Sequence, residues 1–376
     1  MTGWARFDDA VVGSAQVFGV AGKVVAAYRR EDVVGVLNQV EAMVAGGRWA
    51  HGFVAYEAAG GLGEALPVGP TEEGLPLVWF TVGDAPTVET TVTPSTDRAR
   101  WGPWSAQWDR NEHAAAVARV HNAIAAGDTY QCNLTTKFIS SLKGDPLELY
   151  RDLVVAQGGR YNAYIDLGRF VIASASPELF FELRGDRMLM RPMKGTAPRG
   201  RTAVEAETAV RRLIVNDKER AENIMIVDLV RNDIARVSRL GSVRVPRLLQ
   251  CETYETVHQL TSDVEAELRP EVGLAEIFRD LFPCGSITGA PKRSTMTLIK
   301  NLESSPRGVY CGAIGVLSPP GSAVRARFSV GIRTVVVDRL TGVATYGVGG
   351  GITWDSRAGS EYDELLTKTK ILDITH

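Results

Sequence analysis

The sequence has few cysteines and no pattern that would link them. Its four cysteines, Cys132, Cys251, Cys284 and Cys311, are far apart, and no two are spaced as Cys-x-x-Cys. Structural zinc sites and disulfide frameworks both depend on closely spaced or regularly repeated cysteines. The sequence therefore predicts free thiols and argues against a small disulfide-rich protein.

The sequence also has no charge excess, and neither a signal peptide nor a membrane segment is evident in it. Lys and Arg total 42 against 44 Asp and Glu, a net charge of −2, which disfavours nucleic-acid binding through a basic surface. Residues 1–10 contain no basic segment followed by an apolar run, and no apolar stretch is long enough to cross a bilayer. These absences favour a cytoplasmic protein, with room for a local basic pocket that binds a small anion.

What is present is enough apolar sequence for a large core. Hydrophobic residues make up 45% of the 376 residues, which allows one large or two ordinary domains. Residues 1–107 form a first region, and its end, residues 85–107, is rich in Pro, Thr and Ser and is typical of a connection. We expect residues 108–376 to form the larger domain, joined to the first region as one globular unit.

From residue 110 onward the hydrophobic periodicity alternates between helical and strand-like. The predicted helices are 110–126, 203–215, 217–235 and a last helix that Ser360 caps and that buries Leu365, Leu366 and Leu372. The predicted strands are 129–139, 170–175, 179–183, 187–191, 309–317, 324–337 and 343–348. Some of these strands are joined by turns so short that they can only connect antiparallel neighbours, so the pattern predicts an α+β architecture.

Residues 347–351, Gly-Val-Gly-Gly-Gly, follow the last predicted strand. The spacing is not Gly-x-Gly-x-x-Gly and no Gly-Lys-Ser/Thr follows, which excludes a dinucleotide-binding loop and a P-loop. Two interpretations stay open: a loop whose backbone approaches a ligand closely, and a strained turn.

Two glutamate pairs have the spacing of one helix face, Glu219 with Glu222 and Glu361 with Glu364. Clustered carboxylates without nearby His or Cys suit Mg²⁺. Glutamate in a first helical turn is equally favoured by the helix dipole, and neighbouring basic residues offer ordinary surface ion pairs. Spacing alone favours the second interpretation.

Other polar residues have two interpretations each. Lys194, between a strand-like run and Gly195, is either a nucleophile or a solvated charge. Arg333 interrupts an apolar strand, where an inward guanidinium needs an anionic partner but an edge position is ordinary. His258 is on a predicted strand, where a single histidine is more often a structural residue than a catalytic one. Residues 282–292 form a loop dense in Gly, Pro and hydroxyls that either presents backbone N–H groups to an anion or only leads into a helix.

Together these segments resemble the chorismate-utilising enzymes, the family that includes anthranilate synthase component I. The matching stretches are 127–134, 176–178, 192–196, 218–223, 228–233, His258, 285–292, 307–315, 331–334 and 347–364. The resemblance covers about residues 108–372, while the first hundred residues match loosely and look shorter than usual for the family. It implies large, mostly antiparallel β-sheets packed as a sandwich with helices outside.

The resemblance also separates subgroups. Anthranilate synthases typically carry Ala where this chain has Lys194, and a lysine there resembles the aminodeoxychorismate synthase component I subgroup. Isochorismate and salicylate synthases place a water-activating lysine where this chain has Gln131, so water addition to the ring is disfavoured. The implied reaction converts chorismate and ammonia to 4-amino-4-deoxychorismate, for 4-aminobenzoate and folate synthesis.

The resemblance implies a catalytic or binding role for several of the matching residues. It implies that Lys194 attacks ring C2 and that Glu178 protonates the leaving C4 hydroxyl. It implies Mg²⁺ held by Glu222, Glu361 and Glu364, with Glu219 close by. The implied substrate contacts come from Gly195, Thr196, His258, Thr288, Tyr310, Arg333, Gly349 and Gly350. The chain departs from the family pattern at two positions: Asn223 stands where His is usual, and Cys284 stands where Gly is common. Neither residue is expected to carry chemistry.

The chain has no glutaminase signature of the Gly-x-Cys-x-Gly type. Glutamine-dependent activity would therefore need a separate amidotransferase subunit, and release of 4-aminobenzoate a separate lyase. Two alternatives stay open. One is a synthase of anthranilate or 2-amino-2-deoxyisochorismate, and the other is a non-catalytic chorismate-binding subunit.

Overall fold

The computed structural model describes residues 3–63, 66–94, 100–200, 202–253 and 257–375; for a few of these, Thr196 among them, it describes the backbone alone. Within these residues the strands in chain order are β1 (Ala5–Asp9), β2 (Ser14–Phe18), β3 (Lys23–Ala27), β4 (Trp49–Val54), β5 (Val78–Gly83), β6 (Thr87–Thr90), β7 (Arg100–Trp101), β8 (Ser105–Ala106), β9 (Gln131–Lys143), β10 (Tyr161–Asp166), β11 (Phe170–Ser176), β12 (Leu179–Arg184), β13 (Arg187–Arg191), β14 (Met193–Pro198), β15 (Arg244–Thr253), β16 (Val257–Glu267), β17 (Gly289–Ala290), β18 (Ala313–Leu317), β19 (Ala326–Val330), β20 (Thr334–Asp338) and β21 (Val343–Ile352).

The helices in chain order are α1 (Val33–Ala45), α2 (Arg110–Ala125), α3 (Pro146–Gln157), α4 (Ala203–Val215), α5 (Asp217–Ala235), α6 (Leu274–Leu281), α7 (Lys292–Leu302) and α8 (Ala358–Thr369). Short 3-10 turns lie at Arg30–Asp32, Tyr56–Gly61, Gly285–Ile287 and Lys370–Thr375. No helix of the described residues is long and apolar enough to cross a membrane.

The strands form two large antiparallel sheets, as the resemblance implies. The first sheet has the order β17-β9-β21-β20-β11-β10-β1-β2-β6, with β7 and β8 also paired to β9. The second has the order β14-β16-β13-β12-β19-β18-β4-β5-β3, with β15 also paired to β16. Strands from residues 5–90 complete one end of each sheet, so the first region and the rest of the chain share both sheets.

Apolar side chains fill three layers. Between the sheets, Ala163, Ile172 and Phe170 of the first sheet pack with Phe53 and Ile314 of the second. A larger cluster covers the outer face of the second sheet under α1, α5 and α6. Another packs α3 and α8 on the outer face of the first sheet. The helices therefore lie outside a sandwich of two sheets.

Local signals account for several helices. Asp109 and Glu112 form a capping box at the start of α2, and Thr202 and Glu205 form one at the start of α4. The Asn216 side chain accepts from the Glu219 N–H and begins α5. These contacts involve neighbours in sequence, and the predicted segments 203–215 and 217–235 match α4 and α5.

The predicted strand 324–337 is wrong, because the chain breaks it in two. β19 pairs with β12 and β18 in the second sheet, whereas β20 pairs with β11 and β21 in the first. The chain crosses between the sheets at residues 331–333, where Arg333 has a φ of 51°. A left-handed backbone is costly for arginine and is found mostly where surrounding structure or function holds it.

The glycine segment is neither a loop nor a turn, which were the two interpretations that the sequence favoured. β21 continues through it and pairs with β9 from Val343↔Ser141 to Ile352↔Cys132. Its other neighbour, β20, pairs with it only from Val343 to Tyr346. Within the described residues, the edge of β21 from Gly347 onward is therefore not paired with a second strand.

The predicted start of the last helix is also wrong. α8 begins at Ala358, with Arg357 at the N-cap and no side-chain cap bond, so Ser360 lies inside the helix. Leu365 and Leu372 are buried as expected, but Leu366 is exposed.

Candidate active site

Several candidate residues lie against the glycines of β21. Lys194 reaches this strand from β14 of the second sheet, next to Gly195, whose φ is 88°. A Cβ placed on Gly351 would lie 2.8 Å from Lys194 Nζ and 2.5 Å from Gln131 Nε2. The Lys194 amine thus lies against the bare backbone of β21, and the residue is only partly exposed.

Glu178 lies close to Lys194 and is held in a buried setting. It follows β11 in the short connection to β12, and only 3% of the residue is exposed. The Ser286 hydroxyl donates a hydrogen bond of 2.7 Å to Glu178 Oε1. Burial raises the pKa of Glu178 to about 7, although the Ser286 hydrogen bond and the charge of Lys194 both oppose the shift. This carboxyl can carry a proton near neutral pH.

Two carboxylates from α8 approach the same strand. A Cβ on Gly350 would lie 3.4 Å from Glu361 Oε2 and 4.0 Å from Glu364 Oε1. Lys368, one turn further along α8, donates 2.7 Å to the Gly349 carbonyl and pairs with Glu364 at 2.7 Å. The glycines therefore let charged side chains approach the backbone closely.

The charges of Lys194 and Arg333 act on Lys368. Burial lowers the pKa of Lys368; Glu364 opposes this shift, and the nearby positive charges of Lys194 and Arg333 add to it. Lys368 is partly exposed and is already paired with Glu364. The positive charges of Lys194 and Arg333 nearby suit a small anionic ligand.

Two buried side chains at the site have polar atoms without a hydrogen-bond partner in the described part of the chain. They are Gln131, through Oε1 and Nε2, and His258, through Nε2. Gln131 is 1% exposed and His258 is 2% exposed, so water does not readily satisfy them. His258 Nδ1 lies 2.9 Å from Thr253 Oγ1, which fixes the ring. Orphaned polar atoms are costly, and a polar ligand would satisfy them.

Other predicted residues lie around this centre. The ring of Tyr310 packs directly on Gly347, and burial raises its pKa far above the usual range. Thr288 is buried, and its carbonyl accepts from the Asn133 N–H of β9 at 2.8 Å. The side chain of Thr196 lies outside the described residues.

On α5, Glu219 of the acidic pair lies close to Gly195, the neighbour of Lys194 in sequence. A Cβ on Gly195 would lie 2.9 Å from Glu219 Oε2, and Glu222 is half-buried three residues later. Among the described residues, no three His, Cys, Asp or Glu side chains are close enough to form a metal cluster. The donor chemistry still fits Mg²⁺, because all the candidate ligands are carboxylate oxygens.

Sequence reasoning missed two members of the site. From the sequence, Lys368 is only a candidate surface ion-pair partner, and Ser286 does not stand out within the loop 282–292. The glycines of residues 347–351 leave room for a long side chain to approach the strand, and together with the lysine on the following helix they could have indicated Lys368. For Ser286 the sequence offers no signal beyond the number of hydroxyls in its loop.

Known proteins are similar to this chain over most of its length. Aminodeoxychorismate synthase component 1 of Klebsiella aerogenes is 38% identical over 292 residues, 78% of this chain and 62% of that protein. Anthranilate synthase component 1 of Aquifex aeolicus is 37% identical over 270 residues, 72% of this chain and 53% of that protein. The chain therefore spans less than two thirds of the length of either relative.

The fold has solved counterparts. Anthranilate synthase component I from Streptococcus pneumoniae superposes with a TM-score of 0.78 over 99% of this chain and 90% of that one, at 24% identity. A family model described as chorismate binding enzyme matches residues 6–373. With nearly the whole sequence matched and the candidate motifs gathered at one strand edge, the chain belongs to the chorismate-binding enzyme family.

Proposed function

We propose that this protein is an aminodeoxychorismate synthase component I, which converts chorismate and ammonia to 4-amino-4-deoxychorismate and water. The observation that carries the proposal is the position of Lys194 Nζ against Gly351, beside Gln131 and close to Glu178. Identity to the relatives does not separate the subgroups, because the two values are 38% and 37%. The lysine, where anthranilate synthases typically have Ala, favours this reaction.

The chemistry proceeds in two covalent steps. The neutral amine of Lys194 attacks ring C2, the two ring double bonds shift, and the C4 hydroxyl leaves. Ammonia then attacks C4, the double bonds shift back, and the C2–N bond to Lys194 breaks. Splitting one difficult displacement into two easier ones is the benefit of a covalent nucleophile.

Glu178 supplies the proton that the leaving hydroxyl needs. Hydroxide is a poor leaving group, so departure requires a general acid whose pKa lies near the working pH. A pKa of about 7 meets this condition.

Charged and backbone groups orient the substrate. Arg333 would hold the enolpyruvyl carboxylate with its planar fork, assisted by Tyr310. The backbones of Gly195, Thr196, Gly349 and Gly350 would approach the substrate carboxylates, and His258 and Thr288 would lie beside the ring. Glu222, Glu361 and Glu364 would hold Mg²⁺, which would neutralise the ring carboxylate when bound.

The ammonia would come from a separate glutamine amidotransferase subunit. The names of both relatives include "component 1", which supports a second component for this chain as well. A separate aminodeoxychorismate lyase would then release 4-aminobenzoate downstream. The cytoplasm is the compartment we propose for these steps.

The decisive experiment identifies the product. Purified protein is incubated with chorismate and ammonium salt, with and without Mg²⁺ and with and without added lyase, and the products are separated by mass spectrometry. We expect 4-aminobenzoate only when the lyase is present, and no turnover after metal chelation until Mg²⁺ is restored. Anthranilate formed without the lyase would overturn the assignment.

The second candidate is a synthase of anthranilate or 2-amino-2-deoxyisochorismate. The near-equal identity to an anthranilate synthase component 1 supports it. The same experiment separates it from the first candidate through the position of the amino group. Tight chorismate binding without turnover under any ammonia supply would instead indicate a non-catalytic subunit.

A further inference from the structure

A chain of buried hydrogen bonds leads away from Glu178. The Ser286 hydroxyl donates to Glu178 Oε1 at 2.7 Å, and Ser286 Oγ lies 3.3 Å from Cys284 Sγ. All three side chains are buried. Cys284 is the residue at which this chain departs from the glycine common in the family.

The segment that carries Ser286 is fixed by its own backbone and by its neighbours. The Ile287 and Thr288 N–H groups bond back to the Cys284 and Gly285 carbonyls, and Thr288 Oγ1 donates 3.0 Å to the Cys284 carbonyl. Arg307 donates 2.8 Å to the Ile287 carbonyl. Ser286 is thus presented to Glu178 by a rigid turn, and its hydroxyl does not adjust with a mobile loop.

A second attachment joins this turn to β9. The Thr288 carbonyl accepts from the Asn133 N–H, and Arg307 donates 2.8 Å to the Asn133 carbonyl. Arg307 is itself held by two hydrogen bonds to the Glu303 carboxylate. The position of the Ser286 hydroxyl is therefore set by the same strand that carries Gln131.

Resting on the general-acid role of Glu178, we propose that Ser286 is the positioning residue for that carboxyl and that Cys284 supports it. A hydroxyl both donates and accepts, so Ser286 can donate to the ionised carboxylate and accept from the protonated acid. When Glu178 is ionised, the Cys284 thiol donates weakly to Ser286, and when Glu178 is protonated, the Cys284 sulfur accepts from Ser286. The chain of hydrogen bonds reverses direction when Glu178 gives up its proton, and the carboxyl keeps its orientation in both states.

The groups around Glu178 act on its protonation state in opposite directions. Burial favours the protonated form of Glu178, whereas the Ser286 hydrogen bond and the charge of Lys194 on β14 favour the ionised form. Burial and the charge of Glu178 both raise the pKa of the Cys284 thiol, which therefore stays protonated and able to donate. The thiol acts here as a hydrogen-bonding group and not as a nucleophile.

The test compares three alanine variants by the pH at which the Glu178 carboxyl ionises. That pH is read directly from the carboxyl stretch in infrared spectra of ¹³C-glutamate-labelled protein without substrate, with Glu178→Gln assigning the band. It is read again from the alkaline limb of kcat/KM at fixed free ammonia. The first measurement does not depend on the product, so it stands even if the reaction is that of a different family member.

Ser286→Ala removes a hydrogen bond to the ionised carboxylate, and we expect the ionisation to move upward by roughly one pH unit. Cys284→Ala should move it in the same direction by less, because it acts through Ser286. Ser176→Ala is the matched control. Ser176 contacts the backbone N–H and carbonyl of Glu178 but not its carboxylate, so it should leave the ionisation where it is.

An unmoved ionisation in Ser286→Ala would overturn the proposal. So would equal shifts in Ser286→Ala and Ser176→Ala, since these would indicate a general loosening of the segment. If Ser286→Ala does not fold, the comparison of Cys284→Ala with Ser176→Ala decides: an upward shift in the first alone supports the proposal, and no shift contradicts it.

Discussion

Lys194 and Gly351 lie so close together that the lysine amine occupies the space of a missing side chain: a Cβ on Gly351 would be 2.8 Å from Lys194 Nζ. The two residues come from different sheets, Lys194 from β14 and Gly351 from β21. The contact is what directs a flexible four-carbon side chain to one place. It makes the glycine as important to the position of the amine as the lysine itself.

The first prediction concerns this contact. Gly351→Ala should displace the Lys194 amine and the Gln131 amide, and lower kcat on the order of 10²-fold, as a misplacement of about 1 Å can. Steady-state kinetics of the ammonia reaction measures this. Gly35→Ala is the control, because Gly35 lies in α1 with open space around it and should gain about 0.5–1 kcal/mol of stability without losing activity. Full activity in Gly351→Ala would mean that the contact does not orient the lysine.

A second prediction addresses the covalent step. Wild-type protein given chorismate without ammonia should accumulate an adduct on Lys194, seen by intact mass spectrometry and mapped by peptide digestion. Lys194→Ala should form none, although direct attack by ammonia can leave slow turnover. Lys23→Ala, on the exposed side of β3, should keep the adduct. An adduct that persists in Lys194→Ala would show that another residue is the nucleophile.

The third prediction concerns Glu178 and pH. The proposed role of Glu178 as the acid, with a pKa of about 7, predicts that activity at fixed free ammonia falls as pH rises through that value. Glu178→Gln should lose on the order of 10²–10⁴-fold in kcat and abolish this limb of the profile. A limb that persists in the variant would assign the ionisation to a different group.

Glu178→Gln should also change how the free energy of unfolding depends on pH. The folded protein holds the Glu178 proton more tightly than the unfolded chain, so its stability falls as pH rises from the unfolded pKa through about 7. A tenfold difference in proton affinity between the folded and unfolded states corresponds to about 1.4 kcal/mol. Glu178→Gln removes this penalty while its amide oxygen still accepts from Ser286. The variant should therefore gain more stability over the wild type at pH 8 than at pH 5, which thermal unfolding at the two pH values measures.

The fourth prediction concerns Arg333. Arg333→Lys keeps the charge but loses the planar fork, and one charge-assisted hydrogen bond contributes about 1.5–3 kcal/mol. We expect KM for chorismate to rise roughly 10- to 100-fold with a smaller change in kcat. Arg325→Lys, in the exposed turn between β18 and β19, is the control and should leave KM unchanged. An unchanged KM in Arg333→Lys would place the substrate carboxylate elsewhere.

The elements that the sequence predicted well depend on local chemistry. α4 and α5 match the predicted segments because Thr202, Glu205 and Asn216 form caps with their own neighbours. The predicted strands 179–183 and 187–191 also match β12 and β13, and the turn between them forms locally because Gly185 adopts a φ of 60°. Lys194, Glu178 and Arg333 can also be identified from the sequence, but only because motifs along the chain resemble a family.

The features that the sequence did not predict depend on contacts between residues far apart along the chain. The predicted strand 324–337 divides between two sheets at Arg333, because β19 and β20 find different partners far away in sequence. The glycines of β21 form a strand edge because β20 ends before them. Ser286 reaches Glu178 across 108 positions of the chain, a relationship that no local pattern encodes. The sequence by itself determined which chemical groups this protein carries. Their positions around the glycines of β21, and the burial that raises the pKa of Glu178, were decided by tertiary structure, because burial and charge proximity exist only after the two sheets have packed.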